Sequence, residues 1–214
     1  MKQAHQSVKL LAGFCGLAIL ILSSHGLAVD KAVPAGSSLS SNSSCPRHKP
    51  ANARKYFEIC YIRTTYRENV LLLDARVFYG FSKTALRALE SGVPVTLQLT
   101  IEFYRERDWI WDESIATLTQ RFMLQYHTLT HKYVITNLNS KAKSIFSTLS
   151  EAMHALSEVK QLPVLDKKFI GHSSRYYARA RVRLLISQLP SALRLWAYMS
   201  SDWRLKSEWY QWPL

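Results

Sequence analysis

A row of arginines is the feature of this sequence with the most chemistry to offer. Between residues 175 and 186, Tyr176, Ala178, Ala180, Val182, Leu184 and Ile186 take alternate positions, with Arg175, Tyr177, Arg179, Arg181 and Arg183 between them. Successive side chains of a strand point to opposite faces, so the spacing predicts one apolar face and one arginine face. Neighbours on a face stand about 6.5–7 Å apart, from a rise of about 3.3 Å per residue. Like charges that close repel, and something must offset them. One account is cross-strand pairing with acidic residues such as Glu102 or Asp74, helped by solvent screening. It is the commoner fate of an exposed charge row. The other is an anion-binding face for lipid headgroups, lipopolysaccharide phosphates or an acidic partner. A planar guanidinium donates two parallel hydrogen bonds to a phosphate, and Tyr177 can stack beside it.

Other residue types that do chemistry form no recognisable enzyme motif. There is no Gly-x-Ser-x-Gly elbow, no phosphate loop and no His-Glu-x-x-His. His127 and His131 are four apart, which converges on a metal only on one helix face. They fall instead near a predicted strand end and turn. Asp112 and Glu113 are adjacent, and strand neighbours diverge, so a paired-carboxylate glycosidase gains no support. No catalytic residue, cofactor or metal is expected. A catalyst built from scattered residues such as His127, Asp112 and Ser187 is the alternative, and it requires them to converge in one pocket.

The six tryptophans fall in two regions, Trp109 and Trp111, then Trp196, Trp203, Trp209 and Trp212. They read either as a stacking platform for sugar rings or as two edges of one core. The core reading is preferred, because large rings bury much area, although Trp109 and Trp111 fit an exposed loop as well.

The elements that must position these groups are mostly strands. Leu71, Leu73, Ala75 and Val77 alternate with polar residues, and so do Val95, Leu97, Leu99, Ile101 and Phe103. Further strands are expected at 57–63, 117–128, 133–138 and 176–186, and in the aromatic tail at 203–212. Ser82 caps a short helix over 83–90, stopped by Gly92 and Pro94. Thr148-Leu149-Ser150-Glu151 is a capping box that opens a second helix to about Val159. Strands at short spacing with two brief inserted helices predict a mainly β fold, an antiparallel β-sandwich of immunoglobulin-like architecture.

The N-terminus speaks to compartment. Lys2 and Lys9 precede an apolar run over 10–22, and Gly26-Leu27-Ala28 fits a small-x-small cleavage site. The expectation is a signal peptide over 1–28 and export to the periplasm, with mature protein starting at Val29. The run is short for a span of about 20 residues, so an uncleaved inner-membrane anchor is the lesser reading. Residues 29–54, rich in Ser and Pro, read as a disordered linker, and 55–214 as one domain. Of three cysteines, Cys15 leaves with the signal. Cys45 and Cys60 then form a disulfide, or Cys45 stays in the linker and Cys60 is a buried apolar residue. Across 214 residues, 28 Lys+Arg stand against 15 Asp+Glu, a net charge of +13. Such a balance suits anionic partners. Export argues against nucleic acid and leaves an envelope component, an anionic membrane surface or a membrane protein's outer domain.

From about Cys60 onward the chain resembles a family of exported proteobacterial proteins, domain of unknown function 4390. The resemblance rests on Trp109-Ile110-Trp111-Asp112, on the run from Arg121 to Thr130 with Tyr133-Val134 and Asn137-Leu138-Asn139-Ser140, and on Phe146, Thr148-Leu149, Glu151-Ala152 and Leu156. It continues through Ser187-Gln188-Leu189-Pro190, Asp202-Trp203 and Ser207-Glu208-Trp209-Tyr210-x-Trp212. It implies an exported Gram-negative single-domain protein with no assigned activity, often encoded beside a membrane sensor kinase of the nitrogen-regulation type. Together these readings describe a non-enzymatic periplasmic binding or interaction domain.

Overall fold

The computed structural model describes residues 56–109, 111–171 and 175–214. The leader at 1–28, the linker at 29–54 and Cys45 lie outside them.

Alternation builds the first hairpin. β1, Tyr56–Arg67, pairs with β2, Val70–Gly80, and Leu71, Leu73, Ala75, Val77 and Tyr79 all turn inward. A register shift between Ile59 and Tyr61 makes Cys60 the odd residue of a bulge. α1, Lys83–Glu90, starts where the Ser82 Oγ accepts the Ala85 N–H at 3.0 Å. The chain leaves it through Gly92 at φ 86°, a left-handed conformation that a residue with a Cβ rarely adopts.

β3, Val95–Arg105, pairs on one side with β4, Glu113–His127, and β4 with β5, Lys132–Asn137, then β6, Lys143–Phe146. α2, Leu149–Ser157, carries the expected capping box: Thr148 Oγ1 accepts the Glu151 N–H at 3.2 Å, and the Glu151 carboxylate accepts the Thr148 N–H at 3.3 Å. β7, Glu158–Asp166, follows without a loop. β8, Tyr176–Leu184, lies on the other side of β3, and β9, Tyr210–Pro213, borders β8. Between them stands α3, Ser191–Met199.

These strands form two antiparallel sheets, β1-β2-β7 and β6-β5-β4-β3-β8-β9. Both feed one apolar core, with Phe57, Leu71, Leu73 and Val77 from the first and Leu97, Ile101, Phe103 and Val182 from the second. The fold is mainly β and sandwich-like, as its alternation predicts. The three-plus-six strand order lends no support to an immunoglobulin-like architecture, whose sheets hold four and three strands. Among the described residues no helix is long and apolar enough to cross a membrane.

Among the described residues three α-helices stand where two were expected. α3 was missed because much of its apolar surface faces solvent, so it carries no simple inside–outside pattern. α2 ends at Ser157, short of Val159, which pairs with Ala75 in β7. Pro163 concealed β7, yet β7 is a sheet edge, where a residue without an N–H is tolerated.

Glu158 joins α2 to β7 and makes a prediction of its own. Hydrogen bonds from Lys160 and then Arg76 pull its carboxyl down to about 2. A depressed carboxylate contributes stability above its unfolded pKa of about 4.3 and loses it as pH falls towards the folded value. Glu158→Gln is therefore expected to lower urea stability at neutral pH. Its deficit against wild type should shrink steadily as pH falls from about 5 towards 2. A deficit that does not change with pH contradicts the assignment.

Candidate anion-binding face

The arginine row forms as its spacing predicts. Tyr176, Ala178, Ala180, Val182 and Leu184 are buried, whereas Tyr177, Arg179, Arg181 and Arg183 sit on the outer face of the six-stranded sheet. Ile186 belongs not to the strand but to a 3-10 turn, Ile186–Gln188. Register then sets the neighbours. Tyr177 lies opposite Tyr104 and Arg179 opposite Glu102, while Arg181 lies opposite Thr100 and Arg183 opposite Gln98.

That register divides the row in two. At the end where β8 begins, every charge is met. Arg175 pairs with Glu106 at 3.1 Å and Asp108 at 3.0 Å. Tyr177 stacks on Tyr104, ring centres 5.3 Å apart and planes 14° apart. Its hydroxyl donates to Asp112 at 2.8 Å. Burial, then the Asp112 carboxylate, pushes the Tyr177 phenol up to about 12. Arg179 pairs with Glu102 at 2.7 Å and donates to the Tyr104 hydroxyl at 2.9 Å. Cross-strand pairing with Glu102 thus accounts for Arg179. Asp74 plays no part: it lies on β2 of the other sheet and accepts the Gln161 N–H at 2.8 Å.

At the other end the cations are unmatched. Arg181 and Arg183 have no acidic partner among the described residues. Lys206 joins them by a backbone bridge to Arg183. Arg121 on β4 lies opposite Gln98, which itself lies opposite Arg183, so a cationic row crosses three strands. Arg121 Nε donates to Gln98 Oε1 at 3.3 Å and also lacks an acid.

Trp209 organises this end. Its indole lies 4.5 Å from the guanidinium of Arg179 and 4.5 Å from that of Arg181. Stacking engages the flat face of a guanidinium and leaves its N–H donors at the edge. Arg181 is therefore held in place with its hydrogen-bonding fork unused, an arrangement suited to phosphate or carboxylate.

The remaining residues of interest are scattered. Asp112 precedes β4 at one end of the sheet, with Glu113 ion-paired to Arg105 and Arg107 beside it. His127 ends β4 at the far end, where Ser187 also follows β8. The length of β4 separates Asp112 from His127 by roughly 50 Å along the strand, at about 3.3 Å per residue. The structure does not bring these three residues together. His131 sits at φ 52° in the β4–β5 turn, with Nδ1 2.9 Å from the Tyr126 hydroxyl. Among the described residues no group of three His, Cys, Asp or Glu is placed to hold a metal.

The tryptophans split as well. Trp203 and Trp212 are core residues, whereas Trp109, Trp111 and Trp196 are 96%, 92% and 53% exposed. The core preference is thus corrected for three of them. Trp109 and Trp111 lie in the β3–β4 loop and Trp196 on α3. Cys60 is disulfide-bonded; Cys45, its expected partner, lies outside the described residues.

Sequence reasoning missed Arg121, Lys206 and Trp209 as parts of the face. Arg121 was visible only as an outward position of β4, and the strand registers that align it with Arg183 are not written in either strand alone.

No curated protein and no solved structure gives a significant match. Residues 54–213 match the family model described as Domain of unknown function (DUF4390), and the chain belongs to that family.

Proposed function

We propose that this is an exported, non-enzymatic interaction domain that recognises an anionic group on an envelope component or on the outer domain of a membrane protein. A sensor kinase's outer domain is one such receptor. The signal-like N-terminus and the basic composition support the reading. One observation carries it: Arg121, Arg181, Arg183 and Lys206 share one sheet face with no acidic partner among the described residues, while Arg175 and Arg179 beside them are paired. A fold gains nothing from clustering unpaired cations, which repel. An external anion removes that repulsion and supplies the missing acceptors.

Calorimetric titration with short-chain polyphosphate, a soluble probe free of lipid, tests the proposal. The expected result is binding that weakens as salt rises, because exposed charge pairs are screened. No binding at low salt, or binding indifferent to salt, overturns it.

A further inference from the structure

We propose that α3 is a peripheral membrane-docking element, seating the domain on an anionic phospholipid bilayer. The inference rests on the anion-recognising face and names its ligand.

Ala192, Leu195, Trp196 and Met199 follow the spacing i, i+3, i+4, i+7 and form one stripe on α3. Leu195 is 75% exposed and Met199 79%, with Trp196 and Tyr198 about half exposed beside them. Ala197 is fully buried and Leu193 half-buried, so the helix is anchored on one face and apolar on another. A helix apolar on most sides normally has both sides covered. This one is also tied to its neighbours by arginine side chains. The Arg194 guanidinium donates to the Leu189 carbonyl at 3.0 Å, and that of Arg204 to the Tyr198 carbonyl at 3.1 Å. The exposed stripe thus belongs to a helix tied to the fold on both sides.

Charge identifies what covers it. α3 follows the end of β8 where Arg183 and Lys206 stand unpaired. Nearby Asp202 accepts the Thr84 hydroxyl at 2.6 Å and is half-buried, which leaves Glu208 as the exposed acid of this tail. The opposite end of the sheet also exposes apolar rings, Trp109 and Trp111, but there Arg105, Arg107 and Arg175 are cancelled by Glu113, Glu106 and Asp108. Of these two ends, the α3 end is the one that joins an apolar stripe to cations without an acidic partner among the described residues. That pairing is what an anionic bilayer recognises: apolar side chains enter the boundary below the headgroups, tryptophan and tyrosine rings sit at headgroup level, and cations meet phosphates.

The test is flotation with vesicles of phosphatidylglycerol in phosphatidylcholine, against vesicles of phosphatidylcholine alone. Wild type is expected to float with the anionic vesicles, with a blue shift in tryptophan emission that Trp196→Phe diminishes. The variant Leu195→Ser/Met199→Ser changes exposed positions only, so its folding transition should match wild type. It should bind anionic vesicles at least about tenfold more weakly and bind polyphosphate unchanged. If the variant floats like wild type, or if wild type binds polyphosphate and ignores vesicles, α3 is not a membrane element and the cationic face stands alone. If neither probe binds, both proposals fall. Loss of affinity for a protein partner without any vesicle binding assigns the stripe to a protein groove and overturns the membrane proposal.

Discussion

Replacing Trp203 with alanine is expected to destabilise the domain by about 3–5 kcal/mol, the cost of emptying a large core site. Trp203 is 1% exposed and heads the fully buried side chains by volume. The 3-10 turn that carries it, Ser201–Trp203, packs against α1 and α3 and is tied to α1 through Thr84 and Asp202. Truncation there leaves a cavity where helix meets sheet, and the surrounding backbone has little freedom to collapse into it. Set against a total of about 5–15 kcal/mol, such a loss takes a large share of the stability. Trp203→Phe is expected to cost distinctly less. The indole N–H is buried with no hydrogen-bond partner, so losing it removes an unsatisfied donor together with part of the ring. Trp109→Ala, at an exposed loop position, should stay within about 0.5 kcal/mol of wild type. Urea unfolding of the three variants separates these outcomes. A Trp203→Ala deficit below about 1 kcal/mol contradicts the packing described here.

The second large effect falls on binding. Arg181→Gln/Arg183→Gln is expected to weaken polyphosphate binding at least tenfold at low salt, equivalent to about 1.4 kcal/mol. Glutamine keeps much of each side chain's length and polarity, so the loss reports charge and the guanidinium fork rather than the strand. Neither arginine has an acid to leave stranded, and the folded domain should lose little stability. It should even relieve some like-charge repulsion on that face. Arg179 is not a fair partner in this test. It is ion-paired to Glu102 and stacked against Tyr104 and Trp209, so Arg179→Gln leaves a carboxylate without its mate. A loss of binding there would mix structure with recognition. Affinity of the Arg181/Arg183 variant equal to wild type would remove these residues from the site.

What was legible in the sequence follows from what alternation encodes. Strands β2, β3 and β8 turn their apolar residues to the core, so period two placed those inward residues correctly, although Thr96 and Gln98 on the opposite face of β3 are buried as well. Caps at Ser82 and Thr148 were readable because a hydroxyl that accepts an N–H three residues on is a local device. Glu102 was anticipated as a partner of the charge row, alongside Asp74, which takes no part; that Arg179 is its mate follows from the register. Features that depend on what lies across space were hidden. Pro163 argues against a strand unless β7 is known to be an edge. α3 points its stripe away from the core, so its apolar residues gave no burial signal. The exposure of Trp109 and Trp111 depends on a loop that projects from the sheet. Above all, the row Arg121–Gln98–Arg183–Lys206 arises from registers among three strands and an isolated bridge. Each of those arginines looks like an ordinary solvated charge when its own strand is read alone.

Nitrogen-15 NMR of the arginine Nε–H groups, followed through a polyphosphate titration, tests the central claim most directly. Arg181 and Arg183 have unused donors on a cationic face, whereas the guanidinium groups of Arg175 and Arg179 already hold carboxylates. The Arg181 and Arg183 signals, joined by Arg121, are predicted to shift first and to saturate together, with Arg175 and Arg179 hardly moving. Uniform small shifts across all arginines, or a leading response from Arg175, would contradict an anion site built on this face.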